Sequence, residues 1–224
     1  MIGNVHSTYN QPSLYNQAGA ADSATDFEPI PENLSDTYKR LVYIRHNDTN
    51  AQSPVISVNI PLLYTDKINE TLVFNNEIPG GATTVWQGSD IGWLTKLEIL
   101  YGVLKIMNKW NYVPGGGTGY DFTISFTKGV FELSINKDHS EVNGVAYPVT
   151  KGSTANTNVR LLTQFPYKIN FDFYNFKIFG SDDKLKYSLY PVIRLADSKL
   201  GVYCEQQDTF YAATGFDEPG PVIE

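Results

Sequence analysis

The chain has 224 residues, a formal net charge of −7, 18% charged residues and 13% aromatics. The acidic balance excludes a surface that wraps nucleic acid, which needs clustered Lys and Arg to replace phosphate counterions. A lone cysteine, Cys204, excludes an intrachain disulfide, and no run of about 18 apolar residues offers a membrane-spanning helix.

A length near 200–250 residues suits a single β-sandwich domain. The 15 Tyr and 12 Phe favour sheets, where aromatics pack on a pleated surface. Residues 1–36 differ from the rest: they hold no Lys or Arg and five acids (Asp22, Asp26, Glu28, Glu32, Asp36), so −2 of the −7 remains for residues 37–224. Such a segment cannot bury enough apolar surface to offset its own ordering. It is expected to be an extended assembly arm, with Tyr9, Leu14, Tyr15 and Phe27 as its anchors on other subunits, ahead of a sandwich over 37–224. The opening Met1-Ile2-Gly3-Asn4 has no basic region or apolar run behind it, so no signal peptide is expected and synthesis is placed in a cytoplasm.

Residues 41–44 and 55–63 read as strands, with a turn at Asn47-Asp48-Thr49-Asn50 between them. Strands are expected at 71–74 and 83–87. The run 94–110 has an apolar spacing that would fit a helix, but Tyr101-Gly102 interrupts it. Two strands, 95–100 and 102–108, are expected instead. A flexible loop follows at Pro114-Gly115-Gly116-Gly117-Thr118-Gly119. Residues 121–127 alternate Phe122, Ile124 and Phe126 with polar neighbours, which marks a half-buried strand, and 130–135 is expected as its hairpin partner. Residues 139–157 read as a long loop around a short strand at 145–149, and 159–162 opens the last group. The pattern totals eleven to thirteen strands and predicts an all-β, two-sheet antiparallel sandwich.

The last group, 171–215, is an antiparallel meander. Its first strand, 171–180, is apolar on both alternating sets, so both faces are expected to be covered. Gly180-Ser181-Asp182-Asp183 is the turn. The second strand, 184–194, carries Leu185, Tyr187, Leu189 and Pro191 on one face. The third, 201–204, leads through Glu205-Gln206-Gln207-Asp208 into 209–211.

These residues carry a family resemblance. The matching positions are Tyr174, Phe176, Lys177, Ile178 and Phe179; Tyr190, Pro191 and Arg194; Gly201, Val202 and Tyr203; Phe210, Tyr211 and Gly215. Upstream, Tyr38-Lys39-Arg40-Leu41-Val42-Tyr43-Ile44 and the strand 53–60 match the opening of the same pattern. The stretch is similar to the concanavalin A-like, laminin-G-like β-sandwich domain of phage and prophage virion proteins, where (F/Y)-x-F-K-I-(Y/F), (V/I)-P-x-x-R, G-x-Y-D and F-Y-x-x-x-G follow one another. Cys204 stands where the family has Asp, and Tyr190 where it has Val or Ile. The resemblance covers the two ends of 38–215. It implies a concanavalin-like jelly roll and a structural virion protein, as head fibre, capsid decoration or tail component.

No catalytic set is visible. Glycan-cleaving enzymes of this fold carry an E-x-D-x-(x)-E run on one strand face, and none exists here. Asp182, Asp183 and Asp208 fall in turns, where carboxylates form the turn itself. His6, His46 and His139 lie in polar segments without a paired His or Cys, so neither a metal nor another cofactor is expected. Cys204 reads as an inert buried thiol. What remains is aromatic. Trp86 and Trp93 flank Asp90, and Trp110-Asn111-Tyr112 precedes the glycine loop. Trp86, Asp90, Trp93, Trp110, Asn111 and Tyr112 are the candidate glycan-stacking residues, although tryptophans of a sandwich more often plug its core. The sequence therefore points to a non-enzymatic virion protein, held through residues 1–36 to other virion proteins and expected to be a homo-oligomer. A carbohydrate-binding adhesin for a host glycan is the alternative, and a glycan-cleaving enzyme of the same fold a second.

Overall fold

The computed structural model describes residues 34–63, 65–76, 82–88, 96–100, 103–107, 122–125, 128–136, 139–147, 157–164 and 169–223. Seventeen strands lie among the described residues. The first nine are β1 (Tyr38–Arg40), β2 (Ile44–His46), β3 (Val55–Leu62), β4 (Lys67–Phe74), β5 (Ala82–Gly88), β6 (Lys96–Leu100), β7 (Val103–Met107), β8 (Phe122–Ser125) and β9 (Gly129–Asn136). The others are β10 (His139–Val142), β11 (Val145–Tyr147), β12 (Thr157–Gln164), β13 (Phe171–Phe179), β14 (Leu185–Arg194), β15 (Lys199–Cys204), β16 (Thr209–Thr214) and β17 (Glu218–Pro219). All pairings are antiparallel. One sheet runs β11–β10–β9–β4–β13–β14–β15–β16. The other runs β16–β3–β12–β5–β6–β7–β8. β16 belongs to both: Thr209 to Ala212 pair with β15, then Ala213 and Thr214 pair with β3.

The sheets share one core because their strands alternate. β3 buries Ile56, Val58, Ile60 and Leu62, and β12 adds Val159 and Leu161. From the facing sheet come Leu72, Phe74, Phe131, Leu133, Ile135, Phe171, Phe173, Phe176, Ile178, Leu189, Val202 and Cys204, in the same cluster. Each such side chain contributes about 1.5–3 kcal/mol on burial. The expected all-β sandwich and the meander of β13 to β16 are both present. The pair of strands expected in 94–110 is also present, as the β6–β7 ladder.

Other expectations are corrected. The strand at 41–44 is two short strands with a bend between them. Leu41 N donates to Pro191 O on one edge, while Val42 N donates to Pro221 O on the other. The ladder thus changes sides, and 38–41 bonds β14 whereas 44–46 bonds β13. Residues 130–135 are not the hairpin partner of 121–127: β8 pairs with β7 in one sheet, and β9 pairs with β4 and β10 in the other. The loop expected over 139–157 contains a tight hairpin, β10–β11, turned by Asn143 (φ 50°) and Gly144 (φ 76°). An Asn-Gly pair supplies both left-handed residues that a two-residue hairpin turn needs. β4 begins four residues before the strand expected at 71–74.

In β13 the alternation does not hold along its length. The register against β4 shifts between Phe173 and Asn175. Phe171 and Phe173 enter the core before the bulge, Phe176 and Ile178 after it. Asn175, Lys177 and Phe179 therefore do not share a face with Phe171 and Phe173. In the following turn the left-handed residue is Asp183 (φ 58°), not Gly180, and Asp182 Oδ1 accepts from Lys184 N at 3.2 Å. Leu185, expected on one face with Tyr187, Leu189 and Pro191, is exposed where Leu189 is buried, because it opens β14 beside the turn.

A second, smaller cluster covers the other face of β14 and β15. Tyr190, Val192 and Tyr203 pack there under Leu34, Tyr38 and Phe210. Leu34 is thus already part of the packed domain, two residues inside the expected arm boundary. The rest of that arm, residues 1–33, lies outside the described residues.

Candidate functional site

β10, β9, β4 and β13 lie side by side, and their outward positions are polar. The register sets Glu141 opposite Ser134, Ser134 opposite Asn69, and Asn69 opposite Lys177. A second row sets Glu132 opposite Thr71 and Thr71 opposite Asn175. These rows line a depression of about 320 Å³, closed at the β13 end by Phe179 and bordered at the other by the hairpin residue Gly144. Four strands at about 4.8 Å spacing make it roughly 14 Å long.

The β13 bulge builds this floor. Without the shift after Phe173, Asn175 and Lys177 would follow the parity of Phe171 and point into the core. The inward set of β4 includes Glu70, buried between Ile68 and Leu72 beneath the floor.

The groove presents amides (Asn69, Asn175), hydroxyls (Thr71, Ser134), an ammonium (Lys177) and two carboxylates (Glu132, Glu141). Amides both donate and accept, hydroxyls do the same, and the charged groups give one sign each. Asn69 Oδ1 is buried with no hydrogen-bond partner. At the β13 end Lys67 Nζ lies 5.2 Å from the centre of the Phe179 ring and 2.8 Å from Asp183 Oδ1. A lining of this kind fits a ligand made mostly of hydroxyl groups.

Two further polar clusters are structural in construction. Arg45 donates through Nε to Asp172 Oδ1 at 2.6 Å and through Nη2 to Oδ2 at 2.9 Å. The Asp172 bond, opposed by burial, holds the guanidinium well above its ordinary range. At the adjoining end of the sandwich Asn47, Asn50, Asn75, Asn76 and Asn170 bond one another and Asp48, Asp217 and Glu218. That network knits four chain segments together and reaches Asp172 through Asn75 Nδ2.

Of the residues expected to bind, Asp90, Trp93, Trp110, Asn111 and Tyr112 lie outside the described residues, as do Tyr9, Leu14, Tyr15 and Phe27. Trp86 is placed by its backbone in β5, opposite Leu97 and Leu161. His46, expected in a polar segment, is fully buried. Its ring lies near Phe171 and Phe216, and Nδ1 donates to Gly215 O at 2.5 Å. No group of three or more His, Cys, Asp or Glu able to hold a metal occurs among the described residues. Cys204 is buried, and that burial raises its thiol pKa. The groove residues were not singled out from the sequence. Their signal was the polar alternation at 132/134 and 69/71, which becomes a site only when the strands are set side by side.

No protein-family model and no curated protein matches the chain. Among solved structures, the binding domain of botulinum neurotoxin serotype D/C is 12% identical, with a TM-score of 0.40, covering 65% of this chain and 44% of that one. The binding domain of botulinum neurotoxin DC in complex with SialylT is 12% identical, with a TM-score of 0.37, covering 61% and 42%. A structure described as showing that cell entry of botulinum neurotoxin type C depends on two ganglioside molecules is 12% identical, with a TM-score of 0.38, covering 66% and 48%. The chain thus spans less than half the length of these structures, and superposition at this level carries no ligand across.

Proposed function

We propose that this chain is a non-enzymatic carbohydrate-binding module of the adhesin type. The observation that carries the reading is the outer groove of β10, β9, β4 and β13, whose amides, hydroxyls and charges suit a polyhydroxylated ligand. Glycoside cleavage needs two carboxyl groups flanking the scissile bond from opposite sides. Glu132 and Glu141 stand on neighbouring strands at one end, while β13 offers Asn175, Lys177 and Phe179 at the other. The E-x-D-x-(x)-E run of glycan-cleaving enzymes of the concanavalin-like fold is missing from the sequence, which supports binding without cleavage. A glycan array on the full chain, with Asn175→Ala beside it, tests the proposal. Binding to at least one glycan class, lost or weakened tenfold or more in the variant with unchanged melting, supports it. Release of reducing sugar from a bound glycan would overturn the non-enzymatic part.

The resemblance at 38–60 and 174–215 favours a second, compatible reading, in which the module is a phage virion component displayed on head or tail and held by its N-terminal arm. An arm that docks buries its few large side chains as anchors. Ordering it costs on the order of 1 kcal/mol per residue, which partner contacts must offset. Deleting residues 1–33 is expected to abolish incorporation into particles while the domain stays folded. Full occupancy of the truncated protein in particles would sink this reading.

A further inference from the structure

We infer that the β13 end of the groove is a subsite for an acetamido group, so that the ligand is a glycan bearing a 2-acetamido sugar. This rests on the proposed glycan-binding role of the same groove. The polar rows end there in a row of different character. Phe179 stands opposite Lys67 on β4 and, after the register shift that follows Ile178, opposite Leu185 on β14. Directly opposed residues of an antiparallel pair share a face, with Cβ atoms roughly 4.5–5.5 Å apart. Lys67, Phe179 and Leu185 thus form one outward row of an ammonium, an aromatic ring and an aliphatic side chain. Phe179 is half-buried and lines the depression, while Leu185 is a large apolar side chain left 41% exposed beside it. The Lys67 ammonium bonds Asp183, but Asp183 is 79% exposed, and a pair so open to water is weak. The ammonium can therefore turn toward a ligand acceptor. An acetamido group matches this row in order. Its plane lies flat on the aromatic face, its carbonyl oxygen accepts from the Lys67 ammonium, and its methyl leaves water against Leu185. A hydroxyl on the same ring carbon offers no methyl to Leu185 and no plane to Phe179.

The test takes the full chain through a glycan array and then compares two neutral β-linked oligosaccharides of matched length that differ only at C2, a 2-acetamido-glucose oligomer and a glucose oligomer. The array glycans bound are expected to carry a 2-acetamido sugar. The acetamido oligomer is expected to bind at least about tenfold tighter than the glucose oligomer, the low end of what one small apolar group discriminates in a pocket. F179A should abolish this gap. L185S should narrow it by weakening binding of the acetamido oligomer, and because Leu185 is exposed it keeps the inference testable should F179A fold poorly. Equal or tighter binding of the glucose oligomer overturns the subsite and leaves the glycan reading in place, as does an array on which the bound glycans lack acetamido groups. A gap that both variants leave unchanged, with unchanged melting, also overturns the subsite. Failure of both oligomers and of every glycan on the array overturns the glycan reading itself and the subsite with it.

Discussion

At the scale of single residues, Phe176 and Asp172 show what each face of β13 demands. Phe176 is fully buried in the shared core, so Phe176→Ala is expected to cost about 3–5 kcal/mol, measured by urea unfolding. Asp172 is 2% exposed and takes both donors of Arg45, with Asn75 Nδ2 3.2 Å from its Oδ1. Asp172→Asn should cost about 2–3 kcal/mol, less than the 3–5 of a fully buried pair, because the Arg45 side chain is 29% exposed. Three tyrosines give a pH signature. Burial pushes the phenols of Tyr174, Tyr190 and Tyr203 well above their ordinary value near 10, and the Glu205 and Asp208 carboxylates that accept from Tyr190 and Tyr203 add to it. The folded state therefore holds these protons more tightly than the unfolded chain. Their contribution is complete below about pH 10, where the unfolded phenol titrates, and is lost as pH rises through the raised folded values. Melting temperature should fall above about pH 10, and phenolate absorbance from these three should appear only with unfolding. Early ionisation of all fifteen tyrosines, with no change in melting, would contradict this.

At the scale of elements, the β10–β11 hairpin and the carboxyl-terminal segment act as clips. Asn143 Oδ1 accepts from Glu132 N at 2.8 Å and its Nδ2 donates to Val130 O at 2.9 Å, which fastens the turn onto β9 beside the groove. Asn143→Ala should cost about 1–2 kcal/mol for the lost bonds and, on the proposed carbohydrate-binding reading, weaken binding by loosening the groove wall beside Glu132. Gly144 is in the left-handed region with open space around a would-be Cβ. Gly144→Ala should thus cost about 1–2 kcal/mol from backbone strain alone, with no steric clash. Calorimetry of both variants separates side-chain bonding from backbone strain. Gly201 differs: a Cβ there would sit 2.5 Å from the Phe210 ring and from Tyr211 O, so β15 and β16 approach at a distance only glycine permits. At the other end of the fold, residues 217–223 run along 40–45, with Asp217 N donating to Arg45 O and Gly220 N to Tyr43 O, each at 2.9 Å. Truncation after Phe216 removes that edge pairing and should lower the melting temperature without converting the β-type circular dichroism to coil.

For the whole molecule, the boundary of the domain is the testable quantity. Leu34 packs on Tyr190, Val192 and Tyr203, and Leu195 N donates to Thr37 O at 2.9 Å. Deletion of residues 1–33 should leave the melting temperature near that of the full chain. Deletion of residues 1–36 should remain folded but lose on the order of 1 kcal/mol with the Leu34 contact. Aggregation of the shorter deletion would mean that residues before Leu34 belong to the core.

Local chemistry alone determined the class of the fold. Alternating apolar positions, an aromatic-rich composition and turn residues such as Asp182-Asp183 act over two to six residues, so strands, most turns and the meander were legible in order. The faces of β13 were not: both were expected to be covered, whereas Asn175, Lys177 and Phe179 line an open depression. Partner choice was not. Whether β9 pairs with β8 or with β4 depends on contacts about 60 residues apart in the chain, which no local pattern encodes. The bulge in β13 reverses side-chain parity through a pairing with β4, so Asn175 and Lys177 reach the outer face only in the assembled sheet. The groove follows from both: its residues are ordinary polar positions on four strands, and only the tertiary register, by setting them in adjacent rows, makes them one surface.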